Sequence, residues 1–247
     1  MEPTLYLIPV MLGDTAYDRV LPAYNREVVL SLRHFVVENV RTARRFLKKM
    51  EPSIVIDELS FTELNEHTPP EAIAGLLAPM DAGESMGLMS EAGCPAIADP
   101  GADVVALAQR RGYRVAPFVG PSSIFLALMA SGFNGQGFAF KGYLPVEAAK
   151  RAETLKSLES RAYLADETQI FIETPYRNDK MMDDIIRVCR SETLLCIACD
   201  ITCKTEFIRT KTVGEWAKQR PSLNKRPAIF LIYVGGTNEK RDKNKFK

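Results

Sequence analysis

The chain lacks the motifs that mark several common enzyme classes. Neither GxGxxG nor GxxxxGK(S/T) occurs, which excludes two common nucleotide-binding loops. GxSxG and HExxH are absent too, so the sequence offers neither a hydrolase nucleophile elbow nor a zinc-protease helix. There is no run of about eighteen apolar residues, and a membrane-spanning helix is therefore not expected.

An excess of charge of one sign is also missing. The 247 residues carry 32 Lys and Arg against 31 Asp and Glu, a formal net charge of +1. The chain therefore has no overall basic charge to attract nucleic acid, although a local basic patch remains open. The length suits one large domain or two of ordinary size, and 46% hydrophobic residues can form a sizeable core.

Histidine is scarce, and the number of cysteines is odd. The five cysteines are Cys94, Cys189, Cys196, Cys199 and Cys203. Because the chain starts with the pattern of a first strand rather than of a secretion signal, we expect reduced thiols and a cytoplasmic protein. Cys196 and Cys199 fall on a predicted strand, where residues three apart point to opposite faces. With only His34 and His67 to complete a site, no metal is expected.

Short apolar runs alternate with helical patterns through the first half of the chain. Strands are predicted at Leu5–Val10, His34–Glu38, Ile54–Ile56, Met86–Met89 and Tyr113–Phe118. Helices are predicted at Tyr24–Arg33, Thr42–Met50, Glu71–Leu77 and Ala102–Arg111. This alternation predicts a mostly parallel sheet with flanking helices.

The pattern changes after Phe118. Helices are predicted at Ser122–Ala130, Glu147–Leu164 and Asp179–Cys189, and strands at Ala139–Leu144, Gln169–Glu173, Leu194–Asp200, Glu206–Thr212 and Ala228–Val234. The strands Leu194–Asp200 and Glu206–Thr212 lie close together in sequence, which favours an antiparallel pair. We therefore predict two α/β domains, 1–119 with a mostly parallel sheet and 120–238 with a mixed sheet. Residues 239–247 form a charged tail that we expect to be disordered.

Three loops suggest a ligand site. Ser90–Gly101 contains small residues, two prolines and two glycines after a predicted strand, at the end where open α/β sheets bind ligands. A rigid strand-to-helix turn explains the same residues equally well. Pro9–Asp14 is either a second ligand loop or a plain turn. Pro121-Ser122-Ser123 opens a helix, where Ser122 either binds a ligand or caps the helix.

Charged residues offer two further candidates. The helix that follows Glu38 carries a basic series that either contacts phosphates or forms an ordinary solvated face: Arg41, Arg44, Arg45, Lys48 and Lys49. Glu173 ends a predicted strand, and it either faces a pocket or caps the next helix.

These segments, in this order, resemble the tetrapyrrole methylase superfamily of S-adenosylmethionine-dependent methyltransferases. The matching segments are Leu5–Asp14, Met89–Gly101, Ala116–Gly132, Lys141–Pro145, Ile170–Arg177 and Val213–Glu215. The likeness extends from Leu5 to Gly236, and it is greatest to a family that methylates a ribose 2′-hydroxyl of ribosomal RNA.

The resemblance implies a bound S-adenosylmethionine between two α/β domains, usually in a homodimer. Matched position by position, the cofactor-binding residues would be Leu12, Ala92, Gly93, Cys94, Ile97, Ser122, Ser123, Glu173, Thr202 and Ala228. Arg41, Arg44 and Arg45 would hold RNA phosphates. Glu38 and Lys204 are candidates near the methyl acceptor, and no catalytic base is assigned.

Four segments depart from the family's pattern. Gly13-Asp14 stands where the family usually has Gly-Asn, and Asn39 stands where the family has an acidic residue. Cys199–Lys204 differs from the family's RELTK motif, and Ser60–Asn65 stands where the family has a His-rich stretch. These changes fall more on the substrate side than on the cofactor side. Two alternatives therefore stay open: a methyltransferase that acts on a small tetrapyrrole-like ring, and a protein that binds the cofactor without turnover.

Overall fold

A computed structural model describes residues 2–65 and 67–235. The chain divides into two compact units, with the first ending at Ser122 and the second beginning at Ser123. The predicted disordered tail, 239–247, lies outside the described residues. In the part of the chain described here, no helix is long and apolar enough to cross a membrane.

Unit 1 is built on a parallel five-stranded sheet. Its strands are β1 (Thr4–Leu7), β2 (His34–Val37), β3 (Ser60–Glu63), β4 (Met86–Met89) and β5 (Arg114–Pro117), in the order β3-β2-β4-β1-β5. Every neighbouring pair is parallel. The helices are α1 (Tyr17–Val20), α2 (Ala23–Val29), α3 (Val40–Met50), α4 (Pro70–Ile73), α5 (Ala78–Asp81) and α6 (Gly101–Arg110), with a 3₁₀ turn at Ile56–Glu58.

The sheet of unit 1 is buried on both faces, as parallel sheets usually are. Neighbouring residues of a strand point to opposite faces, so Phe35 packs in one apolar cluster and Val36 in the other. Helix α3 covers the first face with Phe46 and Leu47, and α6 covers the second with Val104. Because the strands are parallel, the loops that follow them all lie at one edge of the sheet, the carboxyl edge of unit 1.

Unit 2 is built on a mixed sheet. Its strands are β6 (Phe138–Tyr143), β7 (Thr168–Ile172), β8 (Leu194–Cys199), β9 (Phe207–Thr212) and β10 (Ala228–Tyr233), in the order β6-β7-β10-β8-β9. Its helices are α7 (Ser123–Ser131), α8 (Ala148–Ala165), α9 (Asn178–Val188) and α10 (Val213–Lys218). β6 and β7 are parallel, and the other pairs are antiparallel. The predicted fold class and the predicted antiparallel pair are therefore confirmed.

The predicted strand at Ile54–Ile56 is wrong. A 3₁₀ turn occupies Ile56–Glu58, and the strand that pairs with β2 is Ser60–Glu63. β3 lies at the edge of the sheet, and most of its residues are exposed, so it carries little apolar signal. Ile54, before this turn, and Ile56, at its start, both pack against the core of unit 1. A short apolar run does not by itself specify a strand.

Two helix predictions also need correction. The single helix predicted at Glu71–Leu77 is wrong, since two short helices, α4 and α5, flank Gly75. Helix α10 was missed because it is only six residues long. Its start is well specified, however, by a capping box in which Thr212 and Glu215 bond each other's backbone N–H groups.

Candidate functional site

Two loops at the carboxyl edge of unit 1 are joined by backbone hydrogen bonds. The N–H of Val10 donates to the carbonyl of Gly93 at 2.9 Å, and the N–H of Gly93 donates to the carbonyl of Val10 at 3.2 Å. Gly93 has φ +74°, a conformation that side chains disfavour. A Cβ at this position would lie 3.1 Å from Leu12 Cδ2 and 3.4 Å from the carbonyl oxygen of Pro121. The loops after β1, β4 and β5 therefore meet at Gly93.

The Ser90–Gly101 loop is a tightly held turn. Ala96 and Ala98 have φ values of 66° and 60°, which cost conformational energy in residues with a side chain. Asp99 offsets this cost, because its Oδ1 accepts the N–H groups of Ala96 at 3.0 Å and Gly101 at 2.7 Å. Its Oδ2 is buried and has no hydrogen-bond partner among the described residues. Burial raises the pKa of the Asp99 carboxyl. The predicted rigid turn is present, and the stored strain is typical of functional loops.

Most of the cofactor residues predicted in unit 1 lie around this turn. Cys94 is half-buried, with its Sγ 3.6 Å from the carbonyl oxygen of Pro121, and Leu12 lies against Gly93. Ile97 is apolar and yet 45% exposed, so it presents apolar surface at the loop. Ala92 is exposed. Ser122 is half-buried at the end of unit 1.

The first turn of α3 is bonded to the same loop. Asn39 caps the helix, because its Oδ1 accepts the N–H groups of Arg41 at 3.0 Å and Thr42 at 3.2 Å. The Thr42 hydroxyl in turn bonds the carboxylate of Glu91. Asn and Asp cap helices about equally well. The departure at Asn39 therefore keeps the local structure and removes one negative charge.

Glu38 is a half-buried carboxylate between α3 and the loop. Its Oε1 accepts the N–H of Glu91 at 3.3 Å. Burial raises the pKa of Glu38, and the nearby negative charge of Asp99 raises it further. A raised pKa makes the ionised carboxylate a stronger base than an ordinary glutamate.

Helix α3 presents a basic face to solvent. Arg41, Arg44 and Arg45 are exposed, while Phe46 and Leu47 on the opposite side are buried. The Arg44 guanidinium carbon lies 5.5 Å from the centre of the Phe61 ring. Within residues 2–65 and 67–235, no ion pair neutralises these three arginines.

Three segments meet at one edge of the sheet of unit 2. Ile229 pairs with Ile172, and Ala228 pairs with Cys199, so the start of β10 adjoins the ends of β7 and β8. This edge of unit 2 places Glu173 after β7 and the Asp200–Glu206 segment after β8. Three of the predicted cofactor residues, Glu173, Thr202 and Ala228, therefore lie on adjoining segments. Ser123, the fourth in this unit, opens α7.

The side chain of Glu173 is only 2% exposed. Its Oε1 accepts the N–H of Thr174 at 2.7 Å and two N–H groups of Arg177, from Nε at 3.0 Å and from Nη2 at 2.6 Å. The capping alternative is wrong, since the residue at the N-cap of α9 is Arg177 and makes no side-chain capping bond. Arg177 instead neutralises the buried carboxylate.

Thr202 has an unusual conformation. Its φ is 71°, rare for a β-branched residue, and its hydroxyl is buried without a hydrogen-bond partner in the described part of the chain. Lys204, two residues further on, is exposed. No local sequence pattern indicates this backbone conformation. The role of Asp99, by contrast, has a signal in the run Asp99-Pro100-Gly101, which is typical of a side-chain-bonded turn.

Solved structures define the class of the fold. The cobalt precorrin-4 methyltransferase CbiF matches with a TM-score of 0.59 and 17% identity, covering 93% of this chain and 94% of that one. The methyltransferase CobJ matches with a TM-score of 0.61 and 14% identity, covering 95% of each chain. The chain therefore shares the fold of these two methyltransferases.

Curated relatives show the family. The ribosomal RNA small subunit methyltransferase I of Leptospira borgpetersenii is 32% identical over 251 residues, covering 100% of this chain and 93% of the relative. The protein of that name in Mesorhizobium japonicum is 30% identical over 246 residues, covering 98% and 78%. No family model matches the chain. The chain belongs to the ribosomal RNA small subunit methyltransferase I family and is a methyltransferase.

The raised pKa of Glu38 predicts a pH-dependent gain in stability for Glu38→Gln. The folded protein binds this proton more tightly than the unfolded chain, so ionised Glu38 costs stability above its ordinary pKa of 4.5. At pH 7 the variant should have a higher denaturation midpoint than the wild type, and the gain should shrink as pH falls toward 4.5 and be absent below it. Urea titrations across this pH range measure the difference in denaturation midpoint between variant and wild type. Glu71→Gln, at an exposed position, is the control. A gain that grew on acidification would contradict the assignment.

Proposed function

We propose that this chain transfers a methyl group from S-adenosylmethionine to a ribose 2′-hydroxyl of small-subunit ribosomal RNA. The observation that carries the proposal is the joining of the Ser90–Gly101 loop to the first turn of the basic helix α3, through Thr42, Glu91 and Glu38. The turn that we assign to the methyl donor and the basic helix face that we assign to RNA phosphates are thereby held together by hydrogen bonds. The relatives' names supply the substrate, and a ribosomal substrate would place the reaction in the cytoplasm.

The residues around Gly93 fit the methyl donor. When bound, S-adenosylmethionine supplies an electrophilic methyl group on a sulfonium sulfur. Gly93 leaves space where a side chain would strike Leu12, and Ile97 offers exposed apolar surface for a ring or thioether. Ala92 and Cys94 complete a lining of small side chains, and the Ser122 hydroxyl can bond a polar group of the ligand.

We assign the predicted residues of unit 2 to polar groups of the ligand. Thr202 has a buried hydroxyl that lacks a partner among the described residues, and a bound ligand would supply one. Glu173 offers a buried carboxylate whose Oε1 is already engaged by Arg177, and we assign its other oxygen to a ligand hydroxyl or amine. Ser123 and Ala228 complete the set. We further propose that the chain works as a homodimer, as the superfamily resemblance implies.

Glu38 is the group we assign to the acceptor. Its carboxylate is half-buried beside the loop and has a raised pKa, so it can hold the proton that a ribose hydroxyl gives up. Methyl transfer from a sulfonium needs alignment and the exclusion of water more than a strong base. The rigid turn made by Asp99 therefore contributes by alignment. Lys204, exposed in unit 2, is assigned to the acceptor on the resemblance.

A labelling experiment tests the proposed reaction. Methyl-labelled S-adenosylmethionine is incubated with the protein and with small ribosomal subunits from cells that lack its gene. We expect label in the small-subunit RNA and, because a 2′-O-methyl group blocks attack on the adjacent phosphate, one bond that resists alkaline hydrolysis. If no label appeared in RNA but a small tetrapyrrole-like ring was labelled, the proposed RNA substrate would be wrong. The small-molecule alternative would then take its place.

Gly93→Val should abolish binding of S-adenosylhomocysteine. A branched side chain would fill the space beside Leu12 and would strain the backbone at φ +74°. Gly83→Val is the matched control, because Gly83 has φ +87° with nothing within 4 Å of an added Cβ. Calorimetry should detect binding by the wild type and the control but not by folded Gly93→Val. Equal affinities in all three would remove the Ser90–Gly101 loop from the site.

The triple change of Arg41, Arg44 and Arg45 to Ala should weaken RNA binding and flatten its salt dependence. Each phosphate contact releases counterions, so the slope of log affinity against log salt should fall by about one to three units. The control is the triple change of Arg33, Arg110 and Arg114 to Ala, which removes the same charge near the amino ends of β2 and β5. Filter binding at several salt concentrations measures the RNA affinity and its salt dependence for both triple variants. Identical slopes in the two triple variants would make α3 an ordinary solvated face.

A further inference from the structure

The segment Asp200–Glu206 is held in a strained conformation. Asp200 has φ 50° and Thr202 has φ 71°, both in the left-handed region, which costs on the order of 1 kcal/mol or more per residue with a side chain. Inside the segment, the N–H of Cys203 donates to the carbonyl of Asp200, the N–H of Glu206 donates to the carbonyl of Cys203 at 3.2 Å, and the N–H of Thr202 donates to Glu206 Oε2 at 2.7 Å. Further contacts come from outside the segment.

The guanidinium group of Arg226 supplies those contacts. Its Nε donates to Asp200 Oδ2 at 2.8 Å, its Nη2 donates to the carbonyl of Thr205 at 2.8 Å, and its Nη1 donates to the carbonyl of Ser222 at 3.2 Å. The Thr205 hydroxyl donates to the same Asp200 oxygen at 2.9 Å. One side chain thus bonds the beginning and the end of the turn that contains Thr202. The Asp200 side chain is 13% exposed and that of Arg226 30%.

The backbone around Arg226 extends this connection to the segment after β7. The carbonyl of Arg226 accepts from Asn178 Nδ2 at 2.7 Å, and Asn178 is fully buried at the start of α9. The N–H of Lys225 donates to the carbonyl of Pro175 at 3.0 Å, and the N–H of Asp200 donates to the carbonyl of Pro227 at 3.0 Å. Residues 225–227 therefore tie together the segments that carry Glu173, Thr202 and Ala228.

We propose that Arg226 is a positioning residue of the methyl-donor site: it fixes the conformation of Thr202 without itself touching the ligand. This inference rests on the proposed function, because it takes Thr202 as a donor-binding residue. The three bonds diverge from one planar group, and a lysine ammonium, as a single compact charge, cannot reproduce them. The role therefore requires arginine, although lysine would preserve the charge.

The test compares Arg226→Lys with Arg209→Lys. Arg209 is exposed on β9 of the same unit, and no ion pair to it is found within the described residues. We expect Arg226→Lys to bind S-adenosylhomocysteine about tenfold more weakly by calorimetry, since a displaced contact loses much of its energy. Arg209→Lys should bind as the wild type does. Asp200→Asn, which removes the partner charge, should weaken binding in the same direction, and it serves if Arg226→Lys does not fold.

A double-mutant cycle separates positioning from general stability. If Arg226 acts through Thr202, Arg226→Lys should add little to the affinity loss of Thr202→Ala. If the double variant lost affinity by the full product of the two single losses, Arg226 would act independently of Thr202 and the proposal would be overturned. Wild-type affinity in Arg226→Lys would also overturn it. A wild-type protein that bound no S-adenosylhomocysteine would instead defeat the proposed function, and this inference with it.

Discussion

Two backbone hydrogen bonds between Val10 and Gly93 are the constraint on which the proposed site depends. They join loops that follow neighbouring parallel strands, β1 and β4, and they require a residue without a side chain at position 93. The left-handed conformations of Ala96 and Ala98 and the two bonds to Asp99 continue the same turn. Helix α3 is then attached through Glu91. The basic face of α3 is thus fixed relative to the turn.

Much of the fold follows from the sequence because its strongest signals are local. Buried strands such as β4 and β10 are unbroken apolar runs, and the helix of Val40–Met50 separates apolar from basic residues cleanly. The edge strand β3 could not be found this way, since its exposed positions carry polar side chains and its pairing with β2 is a long-range property. Helix α10 was missed because six residues give too few turns to show a period.

The candidate site, like the fold, could be predicted from the sequence only where its signals are local. Small residues after β4 mark the turn at Gly93, and the order of motifs indicates the superfamily. The bonds that shape the site join residues far apart in sequence, as between Arg226 and Asp200 or Glu38 and Glu91, and no local pattern encodes such pairs. Buried atoms without partners, such as the Thr202 hydroxyl, likewise emerge only when the chain is folded. The pKa of Glu38 depends on this folding in the same way.

We propose that the methyl donor binds against the turn at Gly93, and a crystal structure of the protein with S-adenosylhomocysteine would test this placement. We expect the ligand to contact Leu12, Gly93 and Ile97, with both Val10–Gly93 hydrogen bonds intact. A ligand bound away from this turn would contradict the proposed site, as would a turn that had to open and lose those two bonds to admit the ligand.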